Sequence, residues 1–322
     1  MKKKMVWLGA SVLAVAAGIK HQAKKKKQSV SSLMIEQTLK QIPIFPDVRK
    51  PKEYQKLLEK SEAGYTLPDY VRSMYNACES KELKNTIVIK PKNKVSQRTI
   101  FYLHGGAYWF QPMVAHFRML SKLAESLEAQ IIMPIYPKAP SYHAEDVHKM
   151  VAQTYDEMLE KVAVDPAHLT FMGDSAGGGL ALSFLQVLKE TKKPMPQRAI
   201  LLSPWLDVTG MNPQIRSLQK KDPMLPNDRL SYCGQVYAGA LSTYSPLVSP
   251  LFGELSDLPP IDVFVGTHDI LYADAKALEE QAKEEQLPIR IWSYRHMNHV
   301  FVTYPIPEAK EALTIIKNLI LS

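Results

Sequence analysis

The stretch FMGDSAGGG, residues 171–179, sets Ser175 among small residues, with Asp174 before it and Ala176 after it. Gly173, Ser175 and Gly177 fit the spacing G-x-S-x-G, which thrusts a serine hydroxyl outward from a tight strand-to-helix turn, where it can attack an acyl carbon. A short apolar run, LTFM at 169–172, precedes the turn, and GGGLALSFLQVLKE follows it with helical periodicity. That context favours a nucleophile over a serine that merely caps a helix or fills a turn. Attack on an acyl carbon also leaves negative charge on its oxygen, which needs donors. In YLHGGAYW, residues 102–109, a strand runs into a glycine turn. The backbone N–H groups of Gly105 and Gly106, with that of Ala176, are expected to form the oxyanion hole. His104 is expected to hold the turn in shape rather than to transfer protons.

Such a turn needs a sheet behind it. Strands are expected at 85–90, 98–104, 130–136, 169–172, 198–203, 261–266 and 289–294, with helices between most of them at about 117–128, 144–161, 177–190, 273–285 and 308–321. The alternation predicts an α/β fold, a mostly parallel sheet covered by helices on both faces. Residues 29–84 read as short amphipathic helices broken by Pro43, Pro46, Pro51 and Pro68. The interval at about 207–248 is too long for one turn and contains the helical stretch NDRLSYCGQVYAGAL. Both are expected to cap a catalytic domain spanning 85–322, the second as an insertion on the carboxyl edge of the sheet.

At 322 residues and 46% hydrophobic content the chain can bury a large core. Cys78 and Cys233 lie far apart without metal-ligand spacing, so neither a disulfide framework nor a zinc site is expected. The net charge of +8 is carried entirely by the eight lysines of residues 1–27, which leaves a neutral body and no case for a nucleic-acid partner. Between the two lysine clusters, Met5 to Ile19 is uncharged and mostly apolar. Fifteen helical residues rise roughly 22 Å against a hydrocarbon core of roughly 30 Å. Residues 1–28 are therefore expected to be a short membrane anchor whose lysines reach the headgroups, with orientation undetermined. The alternative is a signal segment cleaved after Ala14-Val15-Ala16 and a secreted chain.

Five stretches in order carry a resemblance: His104-Gly105-Gly106-Ala107, YPKAPSY at 136–142, the turn from Gly173 to Gly178, SPWLD at 203–207 and SPLFGELSDLPP at 249–260. The chain resembles the hormone-sensitive-lipase-like branch of the α/β-hydrolases, carboxylesterases and lipases with a helical cap. The resemblance implies Asp269, in VGTHDILYADA, as the acid and His299, in RHMNHVF, as the base. The chain order Ser, Asp, His and the position of each beyond a late strand point to the same residues. Asp274 competes for the acid role and His268 and His296 for the base role. The chain departs from the family pattern at Ala107, where glycine is frequent, at His296, where glycine often stands, and at Ile270, where proline is common.

The implied mechanism has His299 take the Ser175 proton and return it to the leaving alcohol, while Asp269 orients the imidazole. Water then resolves the acyl-enzyme, and no metal or organic cofactor is needed. The expected substrate is a small-molecule ester of short to medium acyl chain, and Trp109 and Trp205 suggest an apolar pocket. An amidase or deacetylase would use the same triad. A non-catalytic binding protein on this fold would normally have lost one of its members.

Overall fold

A computed structural model describes residues 18–322. Its strands are β1 (Ala77–Glu79), β2 (Thr86–Ile89), β3 (Thr99–Leu103), β4 (Gln130–Pro134), β5 (Leu169–Asp174), β6 (Arg198–Leu202), β7 (Ile261–Gly266) and β8 (Ile289–Tyr294). They form one sheet in the order β1-β2-β4-β3-β5-β6-β7-β8. β1 and β2 pair antiparallel at one edge, and β3 to β8 run parallel. The helices, in chain order, are α1 (Val30–Leu39), α2 (Pro51–Ala63), α3 (Asp69–Tyr75), α4 (Val114–Leu127), α5 (Ala144–Lys161), α6 (Ala176–Glu190), α7 (Ile215–Leu218), α8 (Asn227–Ala238), α9 (Tyr272–Glu284) and α10 (Pro307–Leu321).

The seven expected strands are present. β1 adds an eighth, a three-residue edge strand of which only Ala77 is buried, too short for an alternating pattern to announce it. Because side chains alternate along a strand, the sheet divides the core in two. Phe101, Leu103, Phe171, Leu201 and Val263 face α5, α6 and α9. Ile100, Tyr102, Met172, Ile200 and Phe264 face α4 and α10. The parallel strands are buried throughout from β3 to β7 apart from the first residues of β4 and β6, as a sheet covered on both faces requires.

Register brings the functional loops to one edge. Leu103 lies opposite Gly173, Asp174 opposite Leu202, Leu202 opposite Phe264, and Gly266 opposite Tyr294. The loops that follow β3, β5, β7 and β8 therefore leave the sheet side by side, at the carboxyl edge where α/β sheets place their sites. Over this edge, the segment before β1 meets the insertion after β6. Arg229 donates to the Phe45 carbonyl at 2.8 Å, and Arg49 pairs with Asp228 at 3.0 Å.

The membrane anchor expected near the amino terminus is not borne out. No helix among the described residues is long and apolar enough to cross a membrane, and Met5 to Ile19 lies almost wholly outside those residues. The described helical residues 18–26 carry Lys20, Lys24, Lys25 and Lys26, a density of charge that a hydrocarbon core excludes. Ala23 on the same helix is buried, and its carbonyl accepts the Gln28 N–H at 3.0 Å. These residues pack on the protein, and a membrane partner or membrane location has no support in the structure. The alternative cleavage site at Ala14–Ala16 also lies outside the described residues.

Candidate active site

Ser175 occupies the turn between β5 and α6 with φ 53° and ψ −123°. A positive φ is uncommon for a residue with a side chain and costs about 1–3 kcal/mol. Hydrogen bonds hold it there: its N–H donates to Leu202 O and its carbonyl accepts from Trp205 N, both at 2.9 Å. Gly177 must lack a side chain, because a Cβ there would stand 1.9 Å from the Leu103 carbonyl oxygen. The elbow thus sits directly on the end of β3, one residue from the glycine turn.

Ser175, His299 and Asp269 come together. His299 Nε2 lies 2.9 Å from Ser175 Oγ, and His299 Nδ1 lies 2.8 Å from Asp269 Oδ2. Asp269 is fully buried, and His299 and Ser175 are 5% and 7% exposed. An ionised carboxylate only accepts, so the Nδ1 proton points at Asp269 and the Nε2 lone pair at the serine hydroxyl. Asp269 Oδ1 also accepts the Leu271 N–H at 3.0 Å. Burial alone would make the His299 ring harder to protonate. Attraction to Asp269 and the hydrogen bond between them outweigh this and raise its pKa above the ordinary histidine value. The base is thereby readied to take a proton from the serine.

The other candidates are placed elsewhere. Asp274 lies in the first turn of α9, where its Oδ1 accepts from Asn212 at 2.9 Å. Burial, with Asp207 and Asp269 nearby, pushes its carboxyl up to about 7. His268 and His296 bond to each other at 2.9 Å.

The glycine turn departs from expectation in one detail. Gly105 N–H donates to Asp174 Oδ1 at 2.8 Å, so that donor is already taken. A Cβ on Gly105 would stand 2.2 Å from the other carboxylate oxygen. Among the described residues no acceptor takes the N–H of Gly106 or of Ala176; the Gly106 carbonyl accepts from Trp109 and Phe110, and Ala176 opens α6, where the first N–H groups have no intrahelical acceptor. His104 supports the loop: its Nδ1 contacts Gly105 O at 2.7 Å, its ring stacks on Tyr136 at 4.5 Å, and its carbonyl accepts from Tyr136 Oη at 2.5 Å.

Two residues of this network escaped the sequence analysis as functional groups. Asp174 is buried and also accepts from Tyr102 Oη at 2.7 Å and faces His116 Nε2 at 3.1 Å. Met113 N–H donates to His116 Nδ1 at 2.8 Å, which places the ring proton on Nε2, toward Asp174. Burial would raise the Asp174 carboxyl, but the donors around it, His116 first, hold it at about 2. An acidic residue beside the nucleophile in a buried turn was the available signal, since a buried carboxylate needs partners. His116 gave none: it sits on the apolar face of α4 among core residues.

Residues 100–303 match the profile of a family described as having the α/β hydrolase fold. The chain is 30% identical over 220 residues to an acetyl-hydrolase of Streptomyces hygroscopicus, covering 68% of this chain and 73% of the relative. It is 33% identical over 217 residues to an esterase of Acinetobacter venetianus, covering 66% and 71%. A solved esterase from the bacterial hormone-sensitive lipase family superposes with a TM-score of 0.70 at 26% identity, over 82% of this chain and 95% of that one.

Proposed function

The chain belongs to the α/β-hydrolase family, in the branch similar to hormone-sensitive lipase, and on that premise we propose that Ser175, His299 and Asp269 are its catalytic triad. It is a serine ester hydrolase of the carboxylesterase and lipase kind, with a small-molecule ester as substrate. The observation that carries the assignment of residues is the unbroken path from Ser175 Oγ through His299 to Asp269, with links of 2.9 and 2.8 Å.

In this mechanism His299 Nε2 takes the hydroxyl proton as Ser175 Oγ bonds to the ester carbon. Asp269 keeps the ring in the tautomer that can accept and stabilises its positive form. The carbonyl oxygen, now negative, is received by the N–H groups of Gly106 and Ala176, while Gly105 holds the loop on Asp174. Collapse expels the alcohol, which takes the proton from His299. Water then bonds through its oxygen to the acyl carbon as it gives a proton to the same nitrogen, and cleavage of the bond to Ser175 Oγ, which takes that proton back, releases the acid and the free serine.

The helices of residues 29–84 and the insertion at about 207–248 serve as the cap, and the acyl chain accepted is short to medium. Contacts between these segments and the oxyanion loop support this division. Trp109 donates to Cys233 O at 3.2 Å and meets Tyr54 edge to face at 5.8 Å, so the loop after β3 touches both. The test is hydrolysis of p-nitrophenyl esters from acetate to palmitate, with acetanilide and an acetylated sugar alongside. Turnover is expected to peak at acetate to hexanoate and to fall for longer chains. A peak at palmitate would contradict the chain-length reading, and faster cleavage of acetanilide than of any ester would make the protein an amidase.

A further inference from the structure

His268 and His296 take no part in the triad, yet each flanks it in sequence: His268 precedes Asp269, and His296 stands three residues before His299. Their side chains meet at 2.9 Å, Nε2 of His268 against Nδ1 of His296. Arg295 Nε lies 3.1 Å from His296 Nε2, and arginine can only donate. His296 Nε2 is therefore the acceptor, so its proton is on Nδ1 and points at His268 Nε2. His268 in turn carries its proton on Nδ1, which faces Glu36 Oε1 at 3.5 Å. The hydrogens run one way, from Arg295 to His296 to His268, and the last link is a 3.5 Å polar contact with the Glu36 carboxylate rather than a hydrogen bond.

Glu36 projects from α1, more than two hundred residues away in sequence, and is 1% exposed. It pairs with Lys40 at 2.6 Å and with Lys26 at 3.7 Å. Burial would push its carboxyl up, but His268, Lys40 and Lys26 hold it at about 2, so the far end of the array stays charged. The backbone joins the same two loops: His268 N–H donates to Met297 O at 3.0 Å, and His296 N–H donates to Thr267 Oγ1 at 2.9 Å. Gln28 and Ser32 add contacts at 3.4 Å to His296 O and to the sulfur of Met297. The loop bearing the acid, the loop bearing the base and α1 are fastened at one point.

We infer that Glu36, His268 and His296 form a positioning array that fixes the His299 loop against the Asp269 loop, so that the amino-terminal helix is a working part of the catalytic apparatus. The inference rests on the proposed triad. It has a physical reason: a displacement of about 1 Å at the reacting groups can cost on the order of 10²-fold in rate, and both loops lie outside regular structure.

The test is a double-mutant cycle on Glu36→Gln and His296→Gln, two residues whose side chains are linked through His268, the Gln28 amide reaching only the backbone carbonyl of His296. Turnover of p-nitrophenyl acetate is measured per active site titrated with a fluorophosphonate, so unfolded enzyme is not counted. Each single variant is expected to lower kcat about tenfold at unchanged KM, and the double variant about tenfold again in place of the roughly hundredfold product of independent effects. If Glu36→Gln does not fold, Glu36→Asp, which retracts the charge by one methylene, enters the cycle in its place. Wild-type kcat per titrated site in the single variants, or losses that multiply, would overturn the inference. His299→Ala, with turnover referred to folded protein concentration, tests the triad separately: retained turnover there would remove the premise, whereas its loss together with unaffected single variants would remove the array alone.

Discussion

The two halves of the site are held in different ways. The nucleophile half consists of the elbow at Ser175 and the turn after β3, and its fixings all lie within residues 102–205: Gly177 against Leu103 O, Gly105 N–H on Asp174, and Ser175 between Leu202 and Trp205. The acid and base half depends on more distant chain. Ile270 N–H donates to Asp222 of the insertion at 2.9 Å, Asp274 accepts from Asn212, and Glu36 reaches His268 from α1. The family match covers residues 100–303, so the first half and the Asp222 and Asn212 supports lie within the shared span, and Glu36 adds to the second half from outside it. The nucleophile is thus set by the sheet, while the groups that activate it are set by what packs over the sheet.

Ser175→Ala is expected to lower kcat by roughly 10⁶-fold with little change in melting temperature, because the side chain is small and lies in the site. Measurable turnover within tenfold of wild type would place the nucleophile elsewhere. On the other side, Asp269→Asn presents the wrong partner to His299 Nδ1, and kcat is expected to fall by about 10⁴-fold. The same variant tests the pH dependence. The His299 pKa is raised in the folded protein, and the reaction needs the neutral ring, so the acid limb of kcat/KM is expected to have its midpoint above the ordinary value near 6.5. Removing the Asp269 charge is expected to move that midpoint to lower pH, and an unmoved midpoint would separate the limb from His299.

Smaller effects sharpen the contrast. Asp174→Asn turns an amide toward Gly105 N–H or toward the His116 Nε2 proton, and either arrangement disturbs the oxyanion loop. A loss of about 10²- to 10³-fold in kcat is expected, the scale of one missing oxyanion donor. Asp174 is held at about 2, below the ordinary aspartate value near 4. Its contribution to stability is present in full above that ordinary value and is lost as pH falls through about 2. Thermal melts of wild type and Asp174→Asn should therefore converge in strong acid, and a constant gap would contradict the assignment. Gly177→Ala is expected to cost about 1–3 kcal/mol by overpacking, read as a lower denaturation midpoint in urea. An unchanged midpoint would mean that the elbow and β3 separate easily.

The first half was legible in the sequence because its parts are local. Glycine spacing, a strand before the turn and a helix after it all occur within twenty residues, and strands of five or six residues announce themselves by apolar runs. Even there, the partner of the Gly105 N–H was missed, since a carboxylate can turn either outward or inward and only the packed loop decides. The second half was legible by the order of its residues and not by its supports. Glu36 sits in MIEQTLK four residues before Lys40, which reads as an ordinary solvent-facing pair on a helix. Its contact with His268 spans most of the chain, and nothing in either neighbourhood announces it. His296 stood out as a departure from the family pattern, and its purpose became visible only once Arg295, His268 and Glu36 were seen in line.

The most direct test of the central claim is labelling of the full chain with a fluorophosphonate, followed by peptide mapping and by the same reaction on His299→Ala. One label per chain is expected, on the peptide carrying Ser175, with activity lost in proportion and with labelling slowed severely in the variant. Complete loss of activity with the label on another serine, or full activity after stoichiometric labelling of Ser175, would contradict the account.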